Sequence, residues 1–300
     1  MYIANPRKSK KPTVSIVGSG RLGTALARAL AASHYEIEAL VSRKIVHARR
    51  AAALVGSATI ALSEKQLPDL PASKIILITT PDGEILKTAD RIASLVASSR
   101  GRTVLHTSGA LAASEVLAPL AAAGFATGSL HPLVSISEPR TGAEKLRGAF
   151  YCVEGDAAAN RVARSIVNDL QGHSFHIASN SKPLYHAAAV MASGHVTALV
   201  TLATEMLIQC GLDEKTARRV LLPLLESTVA NLSVSEPATA LTGTFARGDL
   251  VTVRRHLQAL SNTRLTEALA AYKLLGRRSL ELAEKKIETG TRKQILRELK

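Results

Sequence analysis

From Thr13 to about Asn180, short apolar runs alternate with amphipathic stretches. Residues 13–17 read as a strand and Leu22–Ala32 as a helix. Tyr35–Ser42 alternates apolar and polar positions, as a half-buried strand does. Val46–Val55 has helical spacing and ends at Gly56. Lys74–Thr79 carries a continuous Ile-Ile-Leu-Ile run, the pattern of a strand covered on both faces. A helix to Ala97 follows the turn Thr80-Pro81-Asp82-Gly83. Thr103–His106 is another strand, and a helix near Leu111–Ala123 leads to Gly128–Pro132. The strands Ala149–Glu154 and Ser174–Ile177 flank a helix over Ala157–Leu170. Alternating β and α predicts an α/β fold, an open, mostly parallel, doubly wound sheet.

Near Asn180 the pattern changes, and almost everything that follows has helical spacing. One helix is predicted from Pro183 to Cys210, closed by Gly211. Asp213 can cap a second that reaches Asn231. After a loop from Glu236 to Asp249, a helix starts at Asp249 or Leu250 and runs to Leu260. Asn262 or Thr263 can cap a last long helix toward Glu288. Three parts are expected: a basic arm over 1–12, a nucleotide-binding Rossmann domain over 13–179, and an all-α dimerisation and substrate domain over 180–300.

The first strand ends in Gly18-Ser19-Gly20-Arg21-Leu22-Gly23 and a helix follows at once. In that context Gly18 allows the tight turn, Gly20 the approach of a pyrophosphate, and Gly23 close packing of helix on sheet. The helix N-terminus adds free N–H groups and a partial positive charge. The second strand ends in Ser42-Arg43-Lys44, with no carboxylate at its tip. A carboxylate there would select the ribose hydroxyls of NAD, whereas a hydroxyl and two cations suit a 2′-phosphate. NADP is therefore expected ahead of NAD. Thr79, Thr80 and Pro81 would border the nicotinamide ribose, and His106 and Ser108 end the neighbouring strand.

Composition narrows the compartment and the partners. There are two cysteines, Cys152 and Cys210, in separate parts of the chain, with no metal-binding spacing, and this suits a reducing cytoplasm. No stretch reaches the roughly 18 uninterrupted apolar residues of a membrane span, so no membrane partner is expected. The net charge of +14 is concentrated at Arg7–Lys11, Arg43–Arg50 and Arg292–Lys300. No nucleic-acid module accompanies it, so the charge is taken to attract phosphorylated or carboxylated small molecules.

The parts allow hydride transfer, in which a nicotinamide carries the hydride and the protein positions substrate and supplies a proton. His131, Lys182, His186 and His195 are the candidate catalytic groups. The alternatives are structural: a strand-end histidine such as His131 serves more often as a hydrogen-bonding group than as a catalyst, Tyr185 and His186 would be packing or capping groups, and Ser193 and Gly194 would permit close helix crossing. Lys182, His186, Ala189 and Ser193 follow 4/3/4 spacing and share one helix face, which puts Ser193 beside a substrate. Arg247 either clamps a substrate carboxylate, from the partner subunit of a homodimer, or pairs with Asp249 to fix its loop.

These motifs taken together are similar to the superfamily of pyrroline-5-carboxylate reductase, prephenate dehydrogenase and the deazaflavin-dependent NADP oxidoreductases. More closely, the chain resembles a family joining a Rossmann-like domain to a helical C-terminal domain of unknown function. The matching pieces are Gly18–Gly23, Thr80-Pro81-Asp82, His106-Thr107-Ser108-Gly109, His131-Pro132, Tyr185–Ala189, Leu241–Gly243 and Arg247–Asp249. The resemblance implies an NAD(P)-binding fold and a dimer built from the helical domains, and it leaves the substrate open. The family usually has Asn where Gly194 or His195 stands and Pro where Thr244 stands. An NADP-dependent oxidoreductase of a small, carboxylated carbonyl or imine is expected; the alternative is a non-catalytic NADP-binding sensor or interaction protein.

Overall fold

The computed structural model describes residues 10–95 and 99–300. Most of the basic arm, and the expected helix end at Ala97, lie outside the described residues. The chain divides into two compact units between Val190 and Met191.

The N-terminal unit runs β1 (Val14–Val17), α1 (Arg21–Ala32), β2 (Ile37–Ser42), α2 (Ile45–Ala53), β3 (Ile60–Ser63), β4 (Ile75–Ile78), α3 (Asp82–Leu95), β5 (Thr103–His106), α4 (Ala113–Val116), α5 (Ala118–Ala122), β6 (Ala126–Pro132), α6 (Pro139–Lys145), β7 (Phe150–Gly155), α7 (Ala157–Asp169) and β8 (His173–Phe175). It ends in the first turns of α8 (Lys182–Ala192). Its sheet has eight strands in the order β3-β2-β1-β4-β5-β6-β7-β8. Every neighbouring pair is parallel except β6 and β7. The strand order reverses between β1 and β4, the switch point at whose carboxyl edge open α/β sheets bind ligands.

The central strands are buried on both faces, which is why their apolar runs are continuous. Ile75 and Leu77 join Val14, Ile16, Leu26 and Leu30 in one core; Ile76 and Ile78 join Val17, Val41, Ile85 and Ile92 in the other. At about 25 cal/mol per Å² of apolar surface removed from water, these two layers are the main stabilisation of the unit.

The C-terminal unit is helical: α9 (Gly194–Gln209), α10 (Glu214–Val234), α11 (Pro237–Ala240), α12 (Leu250–Ser261), α13 (Thr266–Leu282) and α14 (Thr289–Glu298). Val253, Leu257, Leu280, Ile295 and Leu299 form its core. Asp213 and Asp249 cap α10 and α12, accepting the N–H of Thr216 and Thr252 at 3.0 Å each.

Several expected elements differ. The helix expected over Pro183–Cys210 breaks at Ser193, whose φ of −128° and ψ of −77° interrupt it. An 18-residue stretch within Ser179–Gln209 is apolar enough to cross a membrane, with mean hydropathy 1.5. The break leaves α9 at 16 residues, shorter than the roughly 20 that a spanning helix needs. The helix near Leu111–Ala123 is two short ones, because Leu117 leaves helical geometry between them and Pro119 stands in the first turn of the second. The last helix stops at Leu282, and α14 follows as a separate helix. The short edge strand β3 and helix α6 carry too little periodicity to be read from sequence.

Candidate functional site

Strand register lays out the site before any side chain is placed. One row across the sheet reads Val41, Val17, Ile78, His106, Ser129, Glu154. Its first half is apolar and lies under the glycine turn; its second half is polar and buried. Two residues along β6 stands His131, paired with Cys152.

The glycine turn leaves β1 at the switch point. Gly18 has φ +112°, and a Cβ on it would come within 2.6 Å of the Thr79 backbone. A Cβ on Gly23 would overlap the Gly18 carbonyl oxygen. Both glycines are thus required by the protein's own packing. Gly20 is different: nothing lies within 4 Å of the position its Cβ would take. Thr79 pins the turn, its Oγ1 donating to the Gly18 carbonyl at 2.6 Å. Gly20 caps α1 without a side chain, so no side chain satisfies the first N–H groups of that helix. The hydroxyls of Ser19 and Thr80 are buried with no hydrogen-bond partner among the described residues. Open space at Gly20 and two waiting hydroxyls fit a pyrophosphate-bearing dinucleotide. At the tip of β2, Ser42 is half-buried and Arg43 and Lys44 are exposed. The only carboxylate of that strand, Glu38, sits toward its other end and accepts from Ser73.

The polar half of the row is closed by Lys182, the first residue of α8. Its Nζ is fully buried, 2.7 Å from Ser129 Oγ, 3.2 Å from the Ser108 carbonyl oxygen and 3.5 Å from Glu154 Oε1. Burial is the main cause holding its pKa below the usual lysine range, and Glu154 opposes that shift. Glu154 also accepts the Ala113 N–H at 2.8 Å. His106 is fully buried; its Nδ1 accepts the Ser108 N–H at 3.1 Å, and its Nε2 has no partner among the described residues. Burial, with the charges of Lys182 and His131, pushes its pKa down to about 3.

Over this layer lies a pocket of about 290 Å³, lined by Arg21, Leu22, Asp82, Ser108, Gly109, His131 and His186 among others. Nδ1 of His131 is 2.7 Å from Oη of Tyr185. The rings of His131 and His186 meet edge to face at 5.7 Å.

The structure therefore brings His131, Lys182 and His186 together in the N-terminal unit, with Lys182 beneath the pocket and the two histidines on it. Ser193 and His195 are exposed at the start of α9, and Arg247 is exposed in the C-terminal unit. Asp249 is occupied in capping α12, accepting from Thr252 Oγ1 at 2.7 Å. Sequence reading missed Glu154, Ser129 and the contact of Tyr185 with His131. All depend on strand register, and only the polar Ser129 and Glu154 inside otherwise apolar strands signalled them.

Residues 4–132 match the family model of the Rossmann-like domain, and residues 149–279 that of a domain of unknown function, DUF2520. No curated protein matches the chain. Among solved structures, a protein of Thermotoga maritima is similar with TM-score 0.69 and 23% identity, over 91% of this chain and 98% of that one. A candidate NADP oxidoreductase of Bacteroides fragilis is similar with TM-score 0.70 and 22% identity, over 91% and 99%. A Plasmodium falciparum pyrroline carboxylate reductase with NADP bound has TM-score 0.59 and 12% identity, over 91% and 99%. At these identities the likeness is one of fold.

Proposed function

We propose that this chain, a Rossmann-like domain followed by a domain of unknown function, is an NADP-dependent oxidoreductase acting on a small, carboxylated carbonyl or imine. One observation carries the reading: a single pocket is lined at one end by Arg21 and Leu22 of the glycine turn and at the other by His131 and His186. A cofactor laid on the turn would thus reach polar groups able to orient a substrate.

Gly20 and the N-terminus of α1 would hold the pyrophosphate, with the Ser19 and Thr80 hydroxyls turned to it. Ser42, Arg43 and Lys44 would hold the 2′-phosphate. The nicotinamide, when bound, supplies or accepts the hydride. Thr79 and Pro81 border that end of the turn, and Ser108 and Gly109 form the pocket floor. His131 and His186 hold the reacting carbonyl or imine. Arg21, on the pocket wall, offers the substrate carboxylate a cation, in keeping with the net charge of +14. A bound relative of similar fold and a relative described as an NADP oxidoreductase support the cofactor.

The functional unit on this reading is a homodimer paired through the helical unit, because α9 and α10 expose Leu199, Ile208, Val220, Leu224 and Leu232. Cys210 is an exposed free thiol, in keeping with a reducing cytoplasm.

Calorimetry with the two reduced cofactors tests the reading. NADPH is expected to bind at least about tenfold more tightly than NADH, the worth of one charge-assisted contact. Arg43→Asp should abolish that preference and leave NADH binding within about twofold of wild type, because it alters only the 2′-phosphate end. Equal dissociation constants in the wild type would overturn the NADP assignment. A screen of 2-oxo acids and cyclic imines for NADPH oxidation tests the chemistry, and tight NADPH binding without any turnover would leave a sensor.

A further inference from the structure

The two imidazoles on the pocket are not equivalent. His186 makes no side-chain hydrogen bond among the described residues, whereas His131 is held at Nδ1 by Tyr185 Oη at 2.7 Å. Tyr185 is itself held: its ring meets that of Phe175 at 5.8 Å and 70°, and that of His131 at 5.5 Å and 88°. The opposite edge of His131 faces Gly109. A Cβ on Gly109 would stand 2.8 Å from Nε2 and Cε1 of His131 and 2.7 Å from Cδ2 of His186. Gly109 is absent from the residues with positive φ, so room for two rings, not backbone conformation, requires glycine there.

The direction of the hydrogen bond follows from its partners. A phenol is the better donor and an unprotonated imidazole nitrogen the better acceptor. Tyr185 Oη makes no other hydrogen bond among the described residues, so accepting from Nδ1 would leave its own proton unplaced. The hydrogen bond at one ring nitrogen decides which nitrogen carries the proton.

We infer that Tyr185 is a positioning residue that holds His131 as the neutral Nε2–H tautomer, and that this N–H is the donor offered to the substrate's C=O or C=N acceptor. The inference rests on the reductase reading for its substrate and on geometry alone for its tautomer. A neutral imidazole in this role polarises the acceptor through a hydrogen bond while the hydride arrives, and the oxygen or nitrogen that becomes anionic takes its proton from solvent water, leaving hydroxide. Other observations agree. Burial, with the charges of His186 and Lys182, pushes the pKa of His131 down to about 4, so the ring is neutral at physiological pH. Burial also raises the pKa of Tyr185, which keeps its proton. Lys182 lies under Ser108 with its Nζ turned to Ser129 and Glu154, and it does not line the pocket.

Nitrogen-15 NMR of the full chain labelled in histidine tests this, with His131→Asn to assign the signals. Between about pH 5.5 and 8, the range over which an unperturbed histidine titrates, His131 should show protonated Nε2 and acceptor-type Nδ1. Tyr185→Phe should populate both tautomers and raise the titration midpoint of His131 by about one unit or more, since a donor to the neutral ring is lost. Its NADPH affinity should stay within twofold of wild type. Protonated Nδ1 in the wild type, or a tautomer unmoved by Tyr185→Phe, would overturn the inference. The measurement needs no turnover, so it stands or falls separately from the substrate screen. The expected tautomer with no reducible substrate sinks only the reductase reading, and turnover with protonated Nδ1 sinks only the assignment of the donor.

Discussion

Lys182 and Glu154 show how much a single side chain commits the surrounding structure. Neither reaches solvent to any extent, and together they join β7, the α4 N-terminus, the β5–α4 turn and the start of α8. Taking two charges out of water is costly, and their attraction offsets this only because other hydrogen bonds complete the arrangement. Ser129 Oγ, the Ser108 carbonyl and the Ala113 N–H supply them. Removing one partner leaves an uncompensated buried charge, so Glu154→Ala should cost about 3–5 kcal/mol in urea unfolding. Replacing both, as Lys182→Met with Glu154→Leu, should recover more than half of that loss. A single-variant cost below about 1 kcal/mol, the worth of one ordinary hydrogen bond, would show that the pair is not what holds this layer.

At the scale of elements, α10, like α9, has almost no buried face. Of its 21 residues only Ala217 is buried, and a helix owes most of its stability to a packed apolar face. Val220, Leu224, Val229 and Leu232 are exposed along it. On the homodimer reading that surface is covered by the same surface of a second copy, the usual two-fold arrangement. Light scattering on the full chain should then give twice the chain mass. Leu224→Lys with Leu232→Lys should yield a monomer that keeps its helical circular dichroism. A wild type that runs as a monomer at micromolar concentration would discard the pairing. The break at Ser193 belongs to this scale as well. Nothing in the local run Met191-Ala192-Ser193-Gly194-His195 announces it strongly, because Gly194 weakens a helix by only about 1 kcal/mol relative to Ala.

For the molecule as a whole, the buried histidines tie stability to pH. His106 and His131 have folded-state pKa values of about 3 and about 4, below the unperturbed value of about 6.5. As pH falls below 6.5 the unfolded chain takes up protons that the folded chain refuses, so stability drops down to the folded pKa values. The groups facing them are Lys182 and His131 for His106, and His186, Lys182 and Tyr185 for His131. The thermal midpoint of the N-terminal unit should therefore be flat above about pH 7 and fall between about 6.5 and 4. The fall should be shallower in His106→Gln. An unchanged slope in that variant would show that other groups govern acid unfolding.

Local pattern determined much of this protein. Short apolar runs closed by turn residues read as strands buried on both faces, and glycines at fixed offsets after the first of them read as a phosphate-binding turn, which the open space over Gly20 fits. The absence of a carboxylate at the β2 tip was also legible, because the strand end and its neighbours are contiguous in sequence. Lateral register was not. That His106, Ser129 and Glu154 form one row depends on β6 and β7 pairing antiparallel, and a slip of one residue would send each side chain to the opposite face. The sequence placed His131, Lys182 and His186 among the candidates as equals. Only the tertiary structure put Lys182 under the sheet's polar row and the two histidines on the pocket, with Tyr185 behind one of them. Burial and hydrogen-bond partners are properties of the assembled chain, and they decide which titratable group can meet a ligand.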